Sequence, residues 1–154
     1  MAEAHPRRRQ GGNVTGLKVE LLADLGAYVA LVGGGVPVLG AFMFNAIYKF
    51  PAYHFACQTV LTNKTWTDAY RGAGRPEATF AIERLMDELA AEVGVDPLAI
   101  RERNWITHEE FPFTTVAGLE YDSGNYEPPP HAPRRCSATT SSVPSRRARE
   151  SATR

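Results

Sequence analysis

The sequence of residues 62–77 is Thr62-Asn63-Lys64-Thr65-Trp66-Thr67-Asp68-Ala69-Tyr70-Arg71-Gly72-Ala73-Gly74-Arg75-Pro76-Glu77. This loop joins a strand-like segment to the strongest helical pattern of the chain. Gly72 and Gly74 permit positive φ and let the backbone approach a ligand closely, and Pro76 suits the start of a helix. We expect the loop to direct backbone amides and the guanidinium groups of Arg71 and Arg75 toward one region ahead of a helix N-terminus, which favours anionic or oxo groups.

Taken alone, the glycine pattern also fits an ordinary turn between a strand and a helix. A dinucleotide-binding loop needs a third glycine three residues after the second, and a phosphate-binding loop ends in Gly-Lys-Ser or Gly-Lys-Thr. Residues 62–77 contain neither pattern. The residues by themselves therefore leave a ligand-binding loop and a plain turn as open alternatives.

The net charge of zero hides an acidic middle between two basic ends. Residues 11–127 hold 8 basic and 15 acidic side chains, whereas residues 128–154 hold six arginines and one acid. Phosphate contacts need clustered Lys and Arg. The middle of the chain is therefore a poor candidate for binding nucleic acid.

The two cysteines, Cys57 and Cys136, lie far apart and form no Cys-x-x-Cys motif, which argues against a metal or redox site built from them. Cys57 fits a small buried side chain in a strand. The three arginines before residue 10 are followed by Gln-Gly-Gly-Asn, where a secretory leader would carry an apolar run. We therefore expect a cytoplasmic protein.

Two segments alternate in hydrophobicity as half-buried strands do. In residues 14–24, one face carries Leu17, Val19 and Leu21. In residues 52–61, one face carries Tyr53, Phe55, Cys57, Thr59 and Leu61. The sequence therefore predicts two strands separated by the uncharged residues 25–48.

The uncharged segment is long enough for a membrane span. Five Gly and Pro residues between positions 33 and 40 interrupt its apolar run, so we expect no membrane span. We interpret the segment as chain that is buried within a larger protein, with a short helix over residues 39–48.

Residues 77–93 show the strongest helical pattern, because their apolar residues recur on one face. These residues are Ile82, Leu85, Met86, Leu89 and Val93. Thr79 is a candidate N-cap, and Gly94 is expected to end the helix. Asp96 and Pro97 open a second helix as N-cap and first residue, and this helix runs to about Asn104.

The ends of the chain differ in composition from the middle. Residues 1–13 are expected to form a disordered arm that ends in a Gly11-Gly12-Asn13 turn. Residues 128–154 hold five Pro, eight Ser or Thr and no Leu, Ile, Phe, Tyr or Trp, so we expect them to be disordered. The ordered part is expected in residues 14–127. It is predicted to be an α+β fold with two or three strands of an incomplete mixed sheet and a helix pair over residues 77–104.

The segment from Ala69 to Glu77 resembles the active-site loop of the molybdenum hydroxylases, a family that includes xanthine dehydrogenase, aldehyde oxidase and the large subunit of aerobic carbon monoxide dehydrogenase. The resemblance is colinear over about residues 14–127, which we therefore interpret as part of a molybdopterin-binding domain. It also includes Ala23-Asp24-Leu25-Gly26-Ala27-Tyr28, Tyr48-Lys49-Phe50-Pro51-Ala52, Leu61-Thr62-Asn63-Lys64-Thr65, Glu83-Arg84, Asp96-Pro97, Ile100-Arg101, Asn104, Thr115, Gly118-Leu119 and Tyr121-Asp122-Ser123-Gly124.

The resemblance implies a molybdopterin cofactor, in the cytosine dinucleotide form usual in bacterial members, and the hydroxylation of an electrophilic carbon. The backbone amide of Arg71 matches the position that approaches the molybdenum oxo group, and Gly72 clears the space for that approach. Tyr70, Ala73 and Gly74 are then expected to line the way to the cofactor. Electrons would leave through two [2Fe-2S] clusters on a small partner subunit and FAD on a medium partner subunit.

Two departures from the family narrow the expected substrate. Gly72 stands where the carbon monoxide enzymes carry a copper-holding Cys, so we do not expect oxidation of carbon monoxide. Ala73 stands where the purine-oxidising enzymes place an aromatic ring, and residues 25–48 lack the Arg that those enzymes use. An aldehyde, a heterocycle or a related small molecule remains as the expected substrate.

A third departure concerns catalysis. The family's catalytic Glu lies in a Gly-x-Gly-Glu-type stretch, which this sequence lacks, so we assign no catalytic residue. Glu77 fits a first-turn acid stabilised by the helix dipole better than a catalytic base. We expect a fragment of the molybdenum-binding subunit that is inactive alone. The alternatives are a non-functional truncated remnant and a small docking module without catalysis. The composition of residues 128–154 fits translation out of frame or a truncated gene model.

Overall fold

The computed structural model describes residues 2–8 by their backbone and residues 11–127 in full. The elements follow in the order β1 (Ala2–Arg8), β2 (Val14–Asp24), α1 (Gly35–Met43), β3 (Tyr53–Val60), α2 (Arg75–Val93), α3 (Pro97–Asn104), a 3-10 turn (His108–Glu110), β4 (Phe113–Thr114) and β5 (Glu120–Tyr121). The predicted mixture of α and β structure is confirmed. The expectation of a disordered, out-of-frame tail over residues 128–154 lies outside the described residues.

The three longer strands form one mixed sheet with β2 in the centre. β2 pairs antiparallel with β1 and parallel with β3, and its register sets Leu17 opposite Tyr53 and Asp24 opposite Val60. Parallel neighbours need a long crossover connection, and α1 lies within it. β4 and β5 form a separate antiparallel hairpin.

The N-terminal segment departs from the expected disordered arm over residues 1–13. Ala2–Arg8 forms a strand that pairs with β2. Gly11 and Gly12 have φ of 98° and 86°, and such positive values let the chain reverse between the two strands. An open strand edge presents unpaired N–H and C=O groups, so a segment poor in apolar residues can pair with it. The predicted Gly11-Gly12-Asn13 turn lies in the connection of this hairpin, and it was the only indication of the hairpin in the sequence.

The first helix, α1, lies earlier in the chain than the predicted residues 39–48. It covers Gly35–Met43. Pro37 is tolerated there because it falls in the first turn, where its missing N–H breaks no helical hydrogen bond. Ala46 has a φ of 45°, so the chain has left helical geometry before Tyr48. Tyr48 instead forms an isolated β-bridge with Trp105.

The second helix, α2, matches the predicted residues 77–93 except at its start. It begins at Arg75, and Gly94 ends it in the left-handed conformation with a φ of 73°, as predicted. Gly74 is the N-cap residue in place of Thr79. Thr79 lies inside the helix, because Pro76 already occupies the first turn.

The third helix, α3, begins with the predicted cap. The Asp96 carboxylate accepts hydrogen bonds from the amides of Leu98 and Ala99 at 2.9 and 3.1 Å. Arg101 of this helix donates to the carboxylates of Glu83 and Asp87 at 2.8 and 2.9 Å. Burial alone would lower the pKa of Arg101, but these hydrogen bonds outweigh it and raise the pKa. Two salt bridges from Arg101 therefore hold α3 against α2.

The core lies between α2, α3 and the sheet. The predicted face of α2 supplies Ile82, Met86 and Leu89, which are at most 1% exposed, and β2 and α3 add Val19 and Ile100 at 0%. Burying one such side chain stabilises a fold by roughly 1.5–3 kcal/mol. These contacts fix the start of α2, and with it the end of the glycine-rich loop.

Asn104 joins the end of α3 to the start of β2. Its Oδ1 accepts from the Val14 amide at 2.8 Å, and its Nδ2 donates to the carbonyl oxygens of Gly12 and Ile100 at 2.9 and 2.7 Å. The side chain is 3% exposed. A buried amide with three such partners fixes the position of β2 relative to the helices.

The uncharged residues 25–48 are only partly covered. Phe44 is buried, whereas Leu31 is 99% exposed and Tyr28 70% exposed. Exposed apolar groups of this kind mark contact surfaces, in keeping with the interpretation of this segment as chain that packs against neighbours. No helix within residues 2–8 and 11–127 is long and apolar enough to cross a membrane.

Candidate functional site

The glycine-rich loop lies at the carboxyl end of the parallel strands β2 and β3. Residues 61–71 are exposed throughout, Gly72 and Ala73 are half-buried, and Gly74 is buried. In open α/β sheets, ligands bind outside the carboxyl ends of the strands. The loop therefore presents its backbone at the edge of the sheet where a ligand is expected.

Two tight turns shape the second half of the loop. The Ala73 amide donates to the Tyr70 carbonyl oxygen and the Arg75 amide to the Gly72 carbonyl oxygen, both at 3.0 Å. Gly72, Ala73 and Gly74 have φ of 115°, 38° and 89°. Residues with side chains rarely follow such a path, so the two glycines make it possible.

Arg71 lies at the exposed tip of this turn. Its backbone amide donates to no acceptor within residues 11–127. The N-terminus of α2 follows a few residues later, and no side chain of the described region caps it. Unpaired amides and a helix N-terminus together attract anionic or oxo groups. The geometry thus leaves the Arg71 amide free for the contact that the sequence predicts.

The two arginines of the loop do not act alike. The guanidinium of Arg75 donates from Nη1 to the Gly72 carbonyl oxygen at 3.2 Å, so it turns back onto the loop. This corrects the expectation that both guanidinium groups face the ligand. The Gly72 carbonyl oxygen also accepts a hydrogen bond from the Arg75 amide. This bond orients the oxygen toward the start of α2, where the Arg75 side chain can reach it.

Gly74 packs directly against α1. A Cβ atom at Gly74 would stand 2.5 Å from the Val36 carbonyl oxygen and 2.8 Å from the Gly40 amide nitrogen. Real Cβ atoms do not approach backbone so closely. Besides its proposed place beside the cofactor, Gly74 therefore seats the start of α2 against α1, a role that the sequence analysis missed.

A second segment, residues 25–33, runs beside the first half of the loop. Backbone hydrogen bonds of 2.9–3.0 Å join the two segments. They run from the Leu25 amide to the Val60 carbonyl, from Thr62 to Gly26, from Ala27 to Lys64 and from Thr67 to Leu25. The pairing of β2 with β3 thus continues past the ends of both strands and supports the loop up to Thr67.

The Asp24 side chain links the start of residues 25–33 to the start of the loop. Its Oδ1 accepts from the Gly26 amide at 2.9 Å and from the Thr62 hydroxyl at 2.8 Å, and its Oδ2 lies 2.9 Å from Lys64 Nζ. The hydrogen bond from Lys64, followed by that from the Gly26 amide, lowers the pKa of Asp24. The carboxylate is therefore charged at neutral pH. The signal for this role was present, because Asp24 and Lys64 both lie in stretches that carry the resemblance.

Asp68 forms a similar link nearer the tip. Its Oδ1 accepts from the Ala69 amide at 2.8 Å and from the Val32 amide at 3.2 Å. The Val32 contact joins residues that are 36 positions apart in the sequence. No sequence pattern pairs these two residues, so the role of Asp68 is visible only in the fold.

A cavity of about 350 Å³ lies behind the loop, between the sheet, α1 and the start of α2. Its wall includes Val36, Gly40, Phe44, Gly74, Glu77 and Ala78. Glu77 lies in the first turn of α2, where its charge is stabilised by the helix dipole. The predicted first-turn placement of Glu77 is confirmed.

The described residues contain no cluster of three or more His, Cys, Asp or Glu side chains that could hold a metal ion. Cys57 lies half-buried on β3, away from the loop, and burial raises the pKa of its thiol. What the loop offers is an unpaired backbone amide on an exposed tip, and residues 25–33 support the loop from one side. Such a donor fits the oxo group of a cofactor that brings its own metal.

Comparison with known proteins identifies the fold. Residues 8–105 match the family described as molybdopterin cofactor-binding domain. The chain belongs to this family. The resemblance to the molybdenum hydroxylases is thereby confirmed, and the glycine-rich loop lies within the matched residues of the molybdopterin cofactor-binding domain.

The relatives of this domain are much longer chains. The carbon monoxide dehydrogenase large chain of Hydrogenophaga pseudoflava is 40% identical over 118 residues, which cover 75% of this chain and 15% of the relative. A 6-hydroxypseudooxynicotine dehydrogenase complex subunit gamma of Paenarthrobacter nicotinovorans is 39% identical over 116 residues, with the same coverage. The chain thus spans 15% of the length of these curated relatives.

The solved structures agree with the sequence relatives. Quinoline 2-oxidoreductase from Pseudomonas putida 86 superposes with a TM-score of 0.75 and 32% sequence identity, over 81% of this chain and 16% of that chain. A TM-score of 0.75 at 32% sequence identity shows that the described residues share the fold of this relative. The chain therefore corresponds to one part of the molybdopterin-binding subunit of a molybdenum hydroxylase.

Proposed function

We propose that this chain supplies the loop that contacts the molybdenum cofactor in a hydroxylase acting on an aldehyde, a heterocycle or a related carbon centre. The observation that carries the proposal is the unpaired amide of Arg71 at the exposed tip of the loop, ahead of the uncapped N-terminus of α2. Membership of the molybdopterin cofactor-binding domain family supplies the identity of the ligand.

Each loop residue has a distinct part in the proposal. The Arg71 N–H would donate a hydrogen bond to the oxo group of the bound cofactor. Gly72 would give the turn its φ of 115°, and Tyr70 and Ala73 would line the approach with Gly74 behind them. When bound, the cofactor supplies a two-electron redox centre for the hydroxylation of carbon. The residues of this chain would orient it.

The substrate class follows from the same loop. No Cys stands in residues 62–77, so the loop offers no thiolate to copper, and we propose that carbon monoxide is not the substrate. Ala73 offers no aromatic ring, and residues 25–48 hold no Arg, which argues against purines. The name of the solved relative quinoline 2-oxidoreductase indicates a heterocyclic substrate for that protein, in keeping with a heterocycle here.

The remaining parts of the enzyme are proposed from the relatives. One relative is named as a subunit of a dehydrogenase complex, which supports partner subunits for this chain. We propose a medium subunit with FAD and a small subunit with two [2Fe-2S] clusters, as the family resemblance implies. The cytosine dinucleotide form of molybdopterin and a cytoplasmic location stay predictions. Because no Gly-x-Gly-Glu stretch occurs in the sequence, we propose that the chain has no hydroxylase activity alone.

One observation favours a second candidate function, a docking module without catalysis. Tyr28 and Trp66 are 70% and 53% exposed, and their rings pack edge to face at a centroid distance of 6.3 Å. Exposed aromatic pairs are frequent anchors of protein interfaces. In this case the chain would bind a partner subunit through residues 28 and 66 and would carry no pterin.

The deciding measurement is the molybdenum and pterin content of the purified full chain. The chain is expressed together with a molybdopterin synthesis system and with the genes for the two partner subunits. One molybdenum and one pterin per chain in a co-purifying complex is the expected result. A stable complex without molybdenum would replace the proposal by the docking module. A chain that neither binds a partner nor carries pterin would indicate the non-functional remnant.

A further inference from the structure

We infer that Gly33 and Asp68 are positioning residues that set the Arg71 amide for its contact with the cofactor. The inference rests on the proposed function and names residues that act through the loop without touching the ligand. Both residues join the loop to the uncharged segment 25–33. Residues 25–33 therefore act as a backbone template, to which the loop is hydrogen bonded.

Gly33 is required for the close approach of the two segments. A Cβ atom at this position would stand 2.6 Å from the Thr67 carbonyl oxygen. Its φ lies outside the left-handed region, so space, and not backbone conformation, demands glycine here. A side chain at position 33 would push Thr67, and the residues after it, away from the template.

Asp68 holds the next residue of the loop. One oxygen, Oδ1, accepts from the Val32 amide on the template and from the Ala69 amide on the loop. Further along, the Ala73 amide is bound to the Tyr70 carbonyl oxygen. The amide of Arg71 thus lies between two anchored amides, at positions 69 and 73. The short segment between these two anchors, residues 70–72, is thereby restricted, and with it the direction of the Arg71 N–H.

The effect of these contacts can be separated from the stability of the fold. Residues 61–71 are exposed and contribute nothing to the buried core, which is formed by the sheet, α2, α3 and the aromatic residues Phe44, Tyr48, Phe50 and Trp105. Loss of the Gly33 or Asp68 contact should therefore move the loop while the core keeps its packing. When a residue that supports a binding site from outside is lost, the affinity for the bound group typically falls by roughly 10–100-fold.

Two adjacent glycines provide the matched pair for the first test. A Cβ atom at Gly34 would meet only Val29 Cγ1 at 3.9 Å, an ordinary contact. We expect the pterin content of Gly33→Ala, purified as the full chain from the co-expression described above, to fall at least about tenfold. Gly34→Ala should keep its pterin and the urea midpoint of the parent, whereas Gly33→Ala should still unfold in one cooperative transition. Equal pterin contents in the two variants would overturn the role of Gly33.

Asp68 is tested by rescue. Asparagine keeps an oxygen that can accept both hydrogen bonds, whereas alanine removes it. In Asp68→Ala we expect the Val32 and Ala69 amides to exchange with solvent at least about tenfold faster, as unprotected amides do, and the pterin content to fall. Asp68→Asn should restore both. Unchanged exchange at Val32 and Ala69 in Asp68→Ala would overturn the inference.

The exchange measurement needs no cofactor, so it separates the two claims. If the parent chain carries no pterin, the proposed function fails, and the cofactor part of this inference fails with it. The exchange rates at Val32 and Ala69 still decide whether Asp68 holds the loop. If the parent carries pterin and Asp68→Ala keeps it despite faster exchange, the loop contact is not what positions the cofactor.

Discussion

Gly40 of α1 and Gly74 at the start of α2 meet with their backbones in contact, because a Cβ atom at Gly74 would stand 2.8 Å from the Gly40 nitrogen. Gly74 also has a φ of 89°. Gly74→Ala should therefore lower the free energy of unfolding by about 2–5 kcal/mol, as the sum of a left-handed backbone and overpacking.

Gly94 is the matched control for this substitution. It also has a positive φ, of 73°, but a Cβ atom there would meet nothing within 4 Å. Gly94→Ala should cost only about 1–2 kcal/mol, for the backbone alone. Urea denaturation of both variants measures the difference, and equal losses would show that the contact between α1 and α2 is not tight.

The role of Arg71 is assigned to its backbone, which allows a test that spares the side chain. Arg71→Pro removes the N–H, and Arg71→Ala keeps it. We expect the pterin content of Arg71→Pro to fall about tenfold or more, the worth of one hydrogen bond to a charged acceptor. Arg71→Ala should retain its pterin. A similar loss in both variants would assign the contact to the guanidinium group.

Asn104 links α3 to β2 through three hydrogen bonds in a buried position. In Asn104→Ala, the Val14 amide and the Gly12 carbonyl lose their partner, so we expect a loss of about 2–4 kcal/mol in the free energy of unfolding. Asn125 accepts one bond from the Glu127 amide at an exposed site. Asn125→Ala should change the stability by less than about 0.5 kcal/mol, and a comparable effect of both variants in denaturation would contradict the prediction.

The Asp24 contacts make the base of the loop sensitive to acid. The pKa of Asp24 is lowered below its ordinary value of 3.8 by Lys64 and by the Gly26 amide. A lowered pKa in the folded state means that the contacts are complete above the ordinary value and are lost as the pH falls through the folded value. The amide shift of Gly26, followed by NMR, should therefore change at a pH below 3.8. Asp24→Asn should remove this change, and a midpoint at or above the ordinary value would contradict the assignment.

Local patterns in the sequence predicted much of the fold. The alternation in residues 14–24 matches β2 at both ends, and of the predicted apolar face of α2, Ile82, Met86 and Leu89 are buried, while Leu85 and Val93 are half-buried. Gly94 and Asp96 act as the predicted caps. Each of these signals depends on residues that are close in the chain, so sequence alone contains them.

The features that the sequence analysis missed depend on residues that are far apart. Asp68 and Val32 are 36 positions apart, and nothing local shows that the segments meet. Gly33 is one of the Gly and Pro residues that interrupt the apolar run, and only the fold shows that it lies against the Thr67 carbonyl. The strand Ala2–Arg8 is likewise held by its pairing with β2. The loop could be recognised by its sequence, but the segment that shapes it could not.

The order of the sheet has a consequence for how the molecule meets other chains. β2 is paired on both sides, whereas β3 is paired only with β2 in the described part of the chain. The outer side of Tyr53–Val60 therefore carries a row of backbone donors and acceptors that can template a further strand. Any segment that pairs with this edge extends the sheet through main-chain hydrogen bonds. A second copy of the same chain can occupy this position when no other strand does.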